Sequence, residues 1–288
     1  PLSSLTSEQT IDLARNNFVA LKSLIASASN NHVDDDCEKR SGLCDTVAPV
    51  QDLLEIPNID SDYRCSVVMS GLGLSDGLPV FLPTRERVNE ILESWPLLTS
   101  DNEVPIIPPR NGLATPMVVA ANAVMTGMPT HLAPYAETAI RALCDPDFQV
   151  FNLQTTTNPV TPVIVVGGAA TERNGFNNKS GAMGGGNMSN ASLGRTLRLC
   201  MRNIGGASEE SGVDPATIGQ PGKYTFCFAE LEGLIDWPPL RSQTARAVDA
   251  DQDAVTLVGV TGTANMIIKA TSAEELVEMI AKSIKSVG

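Results

Sequence analysis

The chain has 288 residues, of which 42% are apolar, enough to bury the core of one large α/β domain or two small ones. Aromatics are only 4% and the formal charge is −13, which argues against stacking platforms for single-stranded nucleic acid and against a phosphate backbone as main partner. No apolar run reaches the ~18 to 20 residues that span a bilayer. No basic-then-apolar leader opens the sequence, and six cysteines in this length are no disulfide framework, so a reducing, cytoplasmic setting is expected.

Residues 6–28 predict a helix, capped by Thr6 or Ser7, with Ile11, Ala14, Phe18, Leu21 and Ile25 at helical spacing. Residues 29–62 are a polar connector, punctuated by Asn30-Asn31, Asp34-Asp35-Asp36 and Pro57-Asn58. Cys37 and Cys44 lie there beside His32 and the aspartates. They could form a metal clip, a disulfide or a redox pair, but six residues separate them, whereas zinc and thioredoxin-type pairs use about two to four, so two unlinked thiols are the first expectation. The shift to regular apolar segments at Cys65 divides the chain into an N-terminal helix and irregular arm over 1–64 and an α/β domain over 65–288.

Ser66 to Met69 reads as a short strand ending at Gly71-Leu72-Gly73. Thr84 caps a helix bearing Val88, Ile91, Leu92 and Trp95, after which Pro105, Pro108 and Pro109 impose an extended loop. Residues 112–127 predict a helix apolar nearly all round and therefore buried. Asn122 in its middle is either a structural tie or a ligand contact. A second helix covers 131–144 with Pro134 in its first turn. Phe148 to Leu153 and Val163 to Val166 read as strands, the latter β-branched enough for a central position. Between them, Thr155, Thr156 and Asn158 form a turn that could bind an anion or a carbonyl, or simply cap itself before Pro159. Gly167-Gly168 ends the second strand where α/β folds place ligands.

The run Gly181-Ala182-Met183-Gly184-Gly185-Gly186-Asn187-Met188-Ser189-Asn190 is the most informative stretch. Glycines remove side chains where a backbone must approach something closely. The helix predicted over 190–204 points its free N–H groups back at this loop, which makes a pocket for an anionic group. Leu193, Leu197, Cys200, Met201 and Ile204 face the core, while Arg195, Arg198 and Arg202 share another face. The loop lacks the G-x-G-x-x-G spacing, and Lys179-Ser180 imitates a P-loop end with the glycines on the wrong side. Its amides, at Asn174, Asn177, Asn178, Asn187 and Asn190, can hold ligand oxygens; Asn187 can equally cap the helix. The bland alternative is a flexible surface loop. The Asn-x-Ser sequons at Asn178, Asn187 and Asn190 read as chance products of an Asn/Ser-rich loop.

Tyr224 to Ala229 and Ala254 to Val260 read as further strands. Glu230 at a strand end is the best general acid/base candidate, with Lys223 and Tyr224 preceding that strand; the alternative is a solvated loop carboxylate. Asp249, Asp251 and Asp253 imitate a calcium loop but lack its glycine and reach Val260 at position twelve. No residue set has standard metal-ligand spacing, the sequence does not name a cofactor, and there is no G-x-S-x-G elbow. Ser272 and Glu275 form a capping box for a last helix reaching about Lys285, with Leu276, Val277, Ile280 and Ile284 inward. Strands alternating with helices argue α/β, and two consecutive helices before two close strands favour a mixed sheet flanked by helices.

From about Gly73 onward several stretches are distinctive: Asp76 to Val80, Pro83 to Val88, Asn122 to Met125, Asn187 to Arg195, Pro221 to Cys227 and Thr271 to Glu274. They resemble the module that accompanies the UGSC family of selenocysteine- or cysteine-containing bacterial proteins, which are thought to be redox-active. The resemblance implies thiol-linked oxidoreductase or lyase chemistry. This chain has no Cys-Gly-Ser-Cys or Cys-x-x-Cys motif, so it either depends on a redox-active partner protein or does different chemistry.

The expectation is therefore an enzyme, or the substrate-binding subunit of one, acting on a small anionic or amide-bearing molecule and assembled as a homo-oligomer. Its ligand pocket would draw on Gly184, Gly185, Gly186, Asn187, Asn190, Arg195, Asn122, Thr155, Thr156 and Asn158, and its chemistry on Glu230, Lys223 and Tyr224. The alternative is a non-catalytic subunit or ligand-binding protein that docks an acidic partner through its arginine face.

Overall fold

The computed structural model describes residues 62–95, 104–208, 214–216, 218–234, 236–244, 247–249 and 251–287. The expected N-terminal helix and polar arm, with Cys37 and Cys44, lie outside the described residues. In chain order the elements are α1 (Asp62–Gly71), α2 (Arg85–Glu93), the hairpin strands β1 (Ile106–Ile107) and β2 (Gly112–Leu113), α3 (Pro116–Thr126) and α4 (Ala133–Leu143). There follow α5 (Val150–Thr155), β3 (Thr161–Gly167), α6 (Ala170–Arg173), α7 (Met188–Asn203), β4 (Cys227–Ala229), α8 (Leu240–Gln243), β5 (Ala254–Val260) and α9 (Ala273–Val287).

The fold is α/β, with a mixed three-stranded sheet flanked by helices. β3 is buried at every residue and lies in the centre, as its β-branched run requires. It pairs parallel with β4 (Ile164 beside Cys227) and antiparallel with β5 (Ile164 beside Leu257). Short polar caps set the helix starts. The Thr84 and Thr115 hydroxyls accept from the N–H groups of Arg87 and Val118, and Gly127 ends α3 in the left-handed region at φ 71°. α3 is buried over Val119 to Thr126 and packs between α2 and α7. α7 in turn lies close on β4. A Cβ on Gly194 would come within 2.8 Å of the Phe226 nitrogen, so only glycine permits this approach.

Four expectations are corrected. Ser66 to Met69 is part of helix α1, whose buried residues Cys65, Val68 and Met69 recur at i, i+3, i+4 and join Val80, Met125 and Leu199 in a small core cluster. Phe148 to Leu153 is not a strand: Gln149 turns left-handed (φ 58°) and α5 follows, burying Val150, Leu153 and Gln154 at the same helical spacing. On α9 the apolar side chains do not point inward, since Leu276, Val277 and Ile284 are 41%, 64% and 63% exposed. The strand expected from Tyr224 begins only at Cys227, because a 3-10 turn over Pro221–Lys223 precedes it and the Tyr224 N–H closes back on the Pro221 carbonyl. Among the described residues no helix is long and apolar enough to cross a membrane.

Candidate functional site

Parallel pairing gives β3 and β4 a shared polarity, and ligands of α/β folds gather at the carboxyl ends of such strands. Here that end is formed by Gly167-Gly168, Ala229-Glu230 and the segment from Asn174 to Gly186. The segment is tied to β4: the Ala229 N–H donates to the Asn177 carbonyl at 3.2 Å, and Asn178 Nδ2 to the Glu230 carbonyl at 3.4 Å.

Two asparagines hold the glycine loop by its feet. Asn190, only 2% exposed, accepts from the Asn177 N–H at 3.0 Å and donates to the carbonyls of Asn177 and Ala182 at 2.9 and 3.0 Å. Asn187 caps α7 by accepting from the Asn190 N–H at 2.8 Å, and donates to the Gly175 carbonyl at 2.8 Å. All of these amide atoms therefore act structurally. Within the loop, Gly181 and Gly186 are needed for their positive φ of 74° and 105°. Gly185 is different: its φ is not positive, and a Cβ there would meet nothing within 4 Å. Neither backbone strain nor packing inside the chain calls for a glycine at that position. The N–H groups of Gly185, Gly186, Asn187 and Met188 donate to no acceptor among the described residues. The exposed Lys179 ammonium stands on the same loop, 3.7 Å from Glu172.

Around Gly167-Gly168 lies a set of charges that sequence inspection missed. Arg241, 7% exposed, makes a two-pronged pair with Glu232 at 2.8 and 3.0 Å and donates to the Asp249 and Gln252 carbonyls. Glu232 Oε1 also accepts the Gly168 N–H at 2.8 Å. The Arg241 hydrogen bonds, helped by that of Gly168, hold the Glu232 carboxyl below its usual range against the opposing effect of burial. Nearby, the Tyr135 hydroxyl accepts from Asn174 Nδ2 at 2.8 Å and donates to Asp253 Oδ2 at 3.2 Å. Burial, with the Asp253 charge second, pushes that phenol up to about 12. Glu230, the expected acid/base group, accepts the Leu240 N–H on both oxygens at 3.0 Å and so caps α8. With Leu231, Glu232, Trp237, Pro238 and Leu240 it lines a shallow cleft of about 240 Å³.

The remaining expected site residues are elsewhere. Thr155, Thr156 and Asn158 precede β3, and Lys223 and Tyr224 precede β4, so all five sit at the amino end of the strands. The seven residues of β3, at about 3.3 Å each, put that end ~20 Å from the glycine loop. One pocket cannot hold the 154–158 turn together with the loop, nor Lys223 and Tyr224 together with Glu230. The Thr155 hydroxyl donates to the Phe151 carbonyl and that of Thr156 accepts the Asn158 N–H, a self-capped turn. Lys223 Nζ donates to Asp214 at 2.7 Å. Asn122 is a structural tie between helices, donating to the Val118 carbonyl and accepting from Asn203 Nδ2 at 2.7 Å.

The expected arginine face is also corrected. Arg195 grips Asp76 with two bonds of 2.8 Å and reaches the Leu78 and Pro79 carbonyls. Arg198, 8% exposed, donates to the Lys223 carbonyl and pairs with Asp214 at 3.4 Å. Both guanidinium groups bind this chain's own carboxylates and are largely withdrawn from solvent.

Four cysteines are described and all are free: Cys65, Cys200 and Cys227 are buried and Cys144 is half-buried. Burial pushes the Cys65 and Cys144 thiols up to about 11, and Cys200 and Cys227 further still. These four are therefore poor nucleophiles at neutral pH. Among the described residues no group of three or more His, Cys, Asp or Glu could hold a metal ion. Compared with models of known families, with curated proteins and with solved structures, the chain matches none.

Proposed function

We propose that this chain is an enzyme, or the substrate-binding subunit of one, that takes a small anionic or amide-bearing molecule on its glycine loop at the carboxyl end of β3 and β4. The observation that carries this reading is the combination at Gly185 to Met188. A glycine that the fold itself does not require is followed by N–H groups without an acceptor among the described residues, at the start of a 16-residue helix. Such N–H groups, aligned with the positive end of a helix dipole, favour a carboxylate, phosphate or carbonyl oxygen. Lys179 adds a cation on the same loop, while Arg195 serves the fold instead. The Tyr135–Asp253 pair, 3.2 Å apart, and the Glu232–Arg241 pair add polar groups around Gly167-Gly168 at the same carboxyl end of β3.

Thiol-linked redox or lyase chemistry, suggested by the resemblance to the UGSC-associated module, would have to use Cys37, Cys44 or a redox-active partner. The four described thiols are too deeply held. The four free cysteines among the described residues are compatible with the reducing, cytoplasmic setting that we propose.

The test is an amide NMR titration of the full chain with inorganic phosphate and with malonate. The expected result is saturable shifts centred on Gly185 to Met188. Gly185→Val should weaken binding at least about tenfold, since its side chain would fill the space that the ligand needs, while the urea midpoint stays within the ~0.5 kcal/mol typical of a surface change. Shifts scattered over the surface, or unaltered by Gly185→Val, would show an ordinary surface loop.

A further inference from the structure

α9 is strongly amphipathic in sequence, yet its apolar side lies open. Leu276, Val277 and Ile284 are 41%, 64% and 63% exposed, and no element of the described fold packs closely against the helix. The chain leading into it adds Met266 at 42% and Ile267 at 86%. Isolated exposed apolar residues are ordinary, but a stripe along successive turns of one helix marks a surface that something covers. α7 shows the contrast: Leu193, Leu197, Cys200 and Met201 are each at most 2% exposed.

The charges on α9 point to what covers it. Glu274, Glu275 and Glu278 occupy its first half, Lys282 and Lys285 its second. This polarity complements the helix's own dipole, and Lys282 also reaches Glu278 at 2.6 Å. Neither effect accounts for the apolar stripe. We propose that α9 packs antiparallel against α9 of a second copy of this chain, about a twofold axis near Ile280. That arrangement lays the acidic half of each helix along the basic half of the other and opposes the two dipoles. A parallel pairing would set like ends side by side. It also brings Val277 opposite the partner subunit's Ile284, covering both stripes with one self-complementary patch, as a twofold interface requires. A membrane surface is a poorer occupant, because interfacial helices are rich in Lys and Arg on the polar face and α9 opens with three glutamates. This inference is independent of the ligand proposed for the glycine loop.

The test is light scattering of the full 288-residue chain over a range of concentrations. The expected result is a dimer that dissociates on dilution. Val277→Glu with Ile284→Glu should raise the dissociation constant at least about a hundredfold and leave the unfolding midpoint of the monomer unchanged, because both side chains are exposed there. For orientation, a mixture of Val277→Cys and Ile284→Cys chains, oxidised and mapped by mass spectrometry, should cross-link 277 to 284 in preference to 277 to 277. A monomeric mass at every concentration, a dimer indifferent to the two glutamates, or 277-to-277 links in excess would each overturn the proposal. So would a monomer whose α9 cross-links to residues 6–28, which would assign the covering role to the chain's own N-terminal segment.

Discussion

At the amino end of the β3–β4 pair, Gln220 bridges the Pro159 and Val260 carbonyls, and Arg198 and Lys223 close on Asp214 from two sides. At the carboxyl end, Asn187 and Asn190 hold the glycine loop, but the amides between its last glycines and α7 are left without an acceptor among the described residues. Both ends are polar. One has its charges paired within the chain, while the other has its framework matched and its centre open. The arginines of α7 thus mark where that helix is pinned, and the glycines before it mark where something else can enter.

The largest test of this contrast falls on the closed end. Arg198→Ala removes one of the two cations facing the buried Asp214 and should cost about 3 kcal/mol, measured by urea unfolding, with phosphate binding at the loop unchanged. A loss under ~1 kcal/mol would deny that this end is locked by charge. Arg195→Ala comes next. Expected from sequence as a ligand contact, it instead fastens α7 to Asp76, so truncation should lower stability by about 1.5 to 3 kcal/mol and change phosphate affinity less than about twofold. Loss of affinity without loss of stability would restore the sequence-based expectation.

Acid titration sharpens the carboxyl end. Glu232 is held below its usual range in the folded state, so the stability it contributes is complete above the unfolded carboxyl range and disappears as pH falls through its folded value. Glu232→Gln should therefore cost about 1 to 3 kcal/mol in thermal melts at pH 7, and the gap from the parent should narrow steadily below about pH 4.3. The smallest effect is expected at Lys179. Its pairing with Glu172 is exposed at 68% and 73%, so Lys179→Ala should leave stability within the ~0.5 kcal/mol of a surface change. Phosphate binding should weaken about two- to fivefold, the value of one nearby charge at a helix start.

Much of the fold was legible because its signals are local. Thr84 before α2 and the Ser272/Glu275 box before α9 are read from neighbours a few residues away. β3 announces itself by a β-branched run suited to burial on both faces. Ser66 to Met69 and Phe148 to Leu153 misled because β-branched and aromatic content outweighed the i, i+3, i+4 spacing of Cys65, Val68 and Met69 and of Val150, Leu153 and Gln154. For α9, periodicity revealed that the apolar residues share a face but carried no information about what lies against it.

Legibility at the site follows the same division. That Asn187 and Asn190 stand with the glycines follows from adjacency in the chain. That Arg195 is occupied does not, because its partner Asp76 lies 119 residues away. The Glu232–Arg241 pair gave no pattern of its own, although Gly167-Gly168, which it underlies, was a visible landmark. Lys223, Tyr224 and Glu230 seemed close in sequence, but the strand between them carries them to opposite ends.

Asn190 has one more consequence, for how such a protein can change. Its side chain fastens residue 177 on one side and residue 182 on the other, so the span from 183 to 186 hangs from anchors that it does not itself supply. Meanwhile Gly194 fixes α7 against β4 a few residues further on. Substitutions at 183–185, with Gly186 kept for its positive φ, leave both attachments in place. The loop is thus an exchangeable cassette, and descendants of this chain could acquire new ligands there without renegotiating the core.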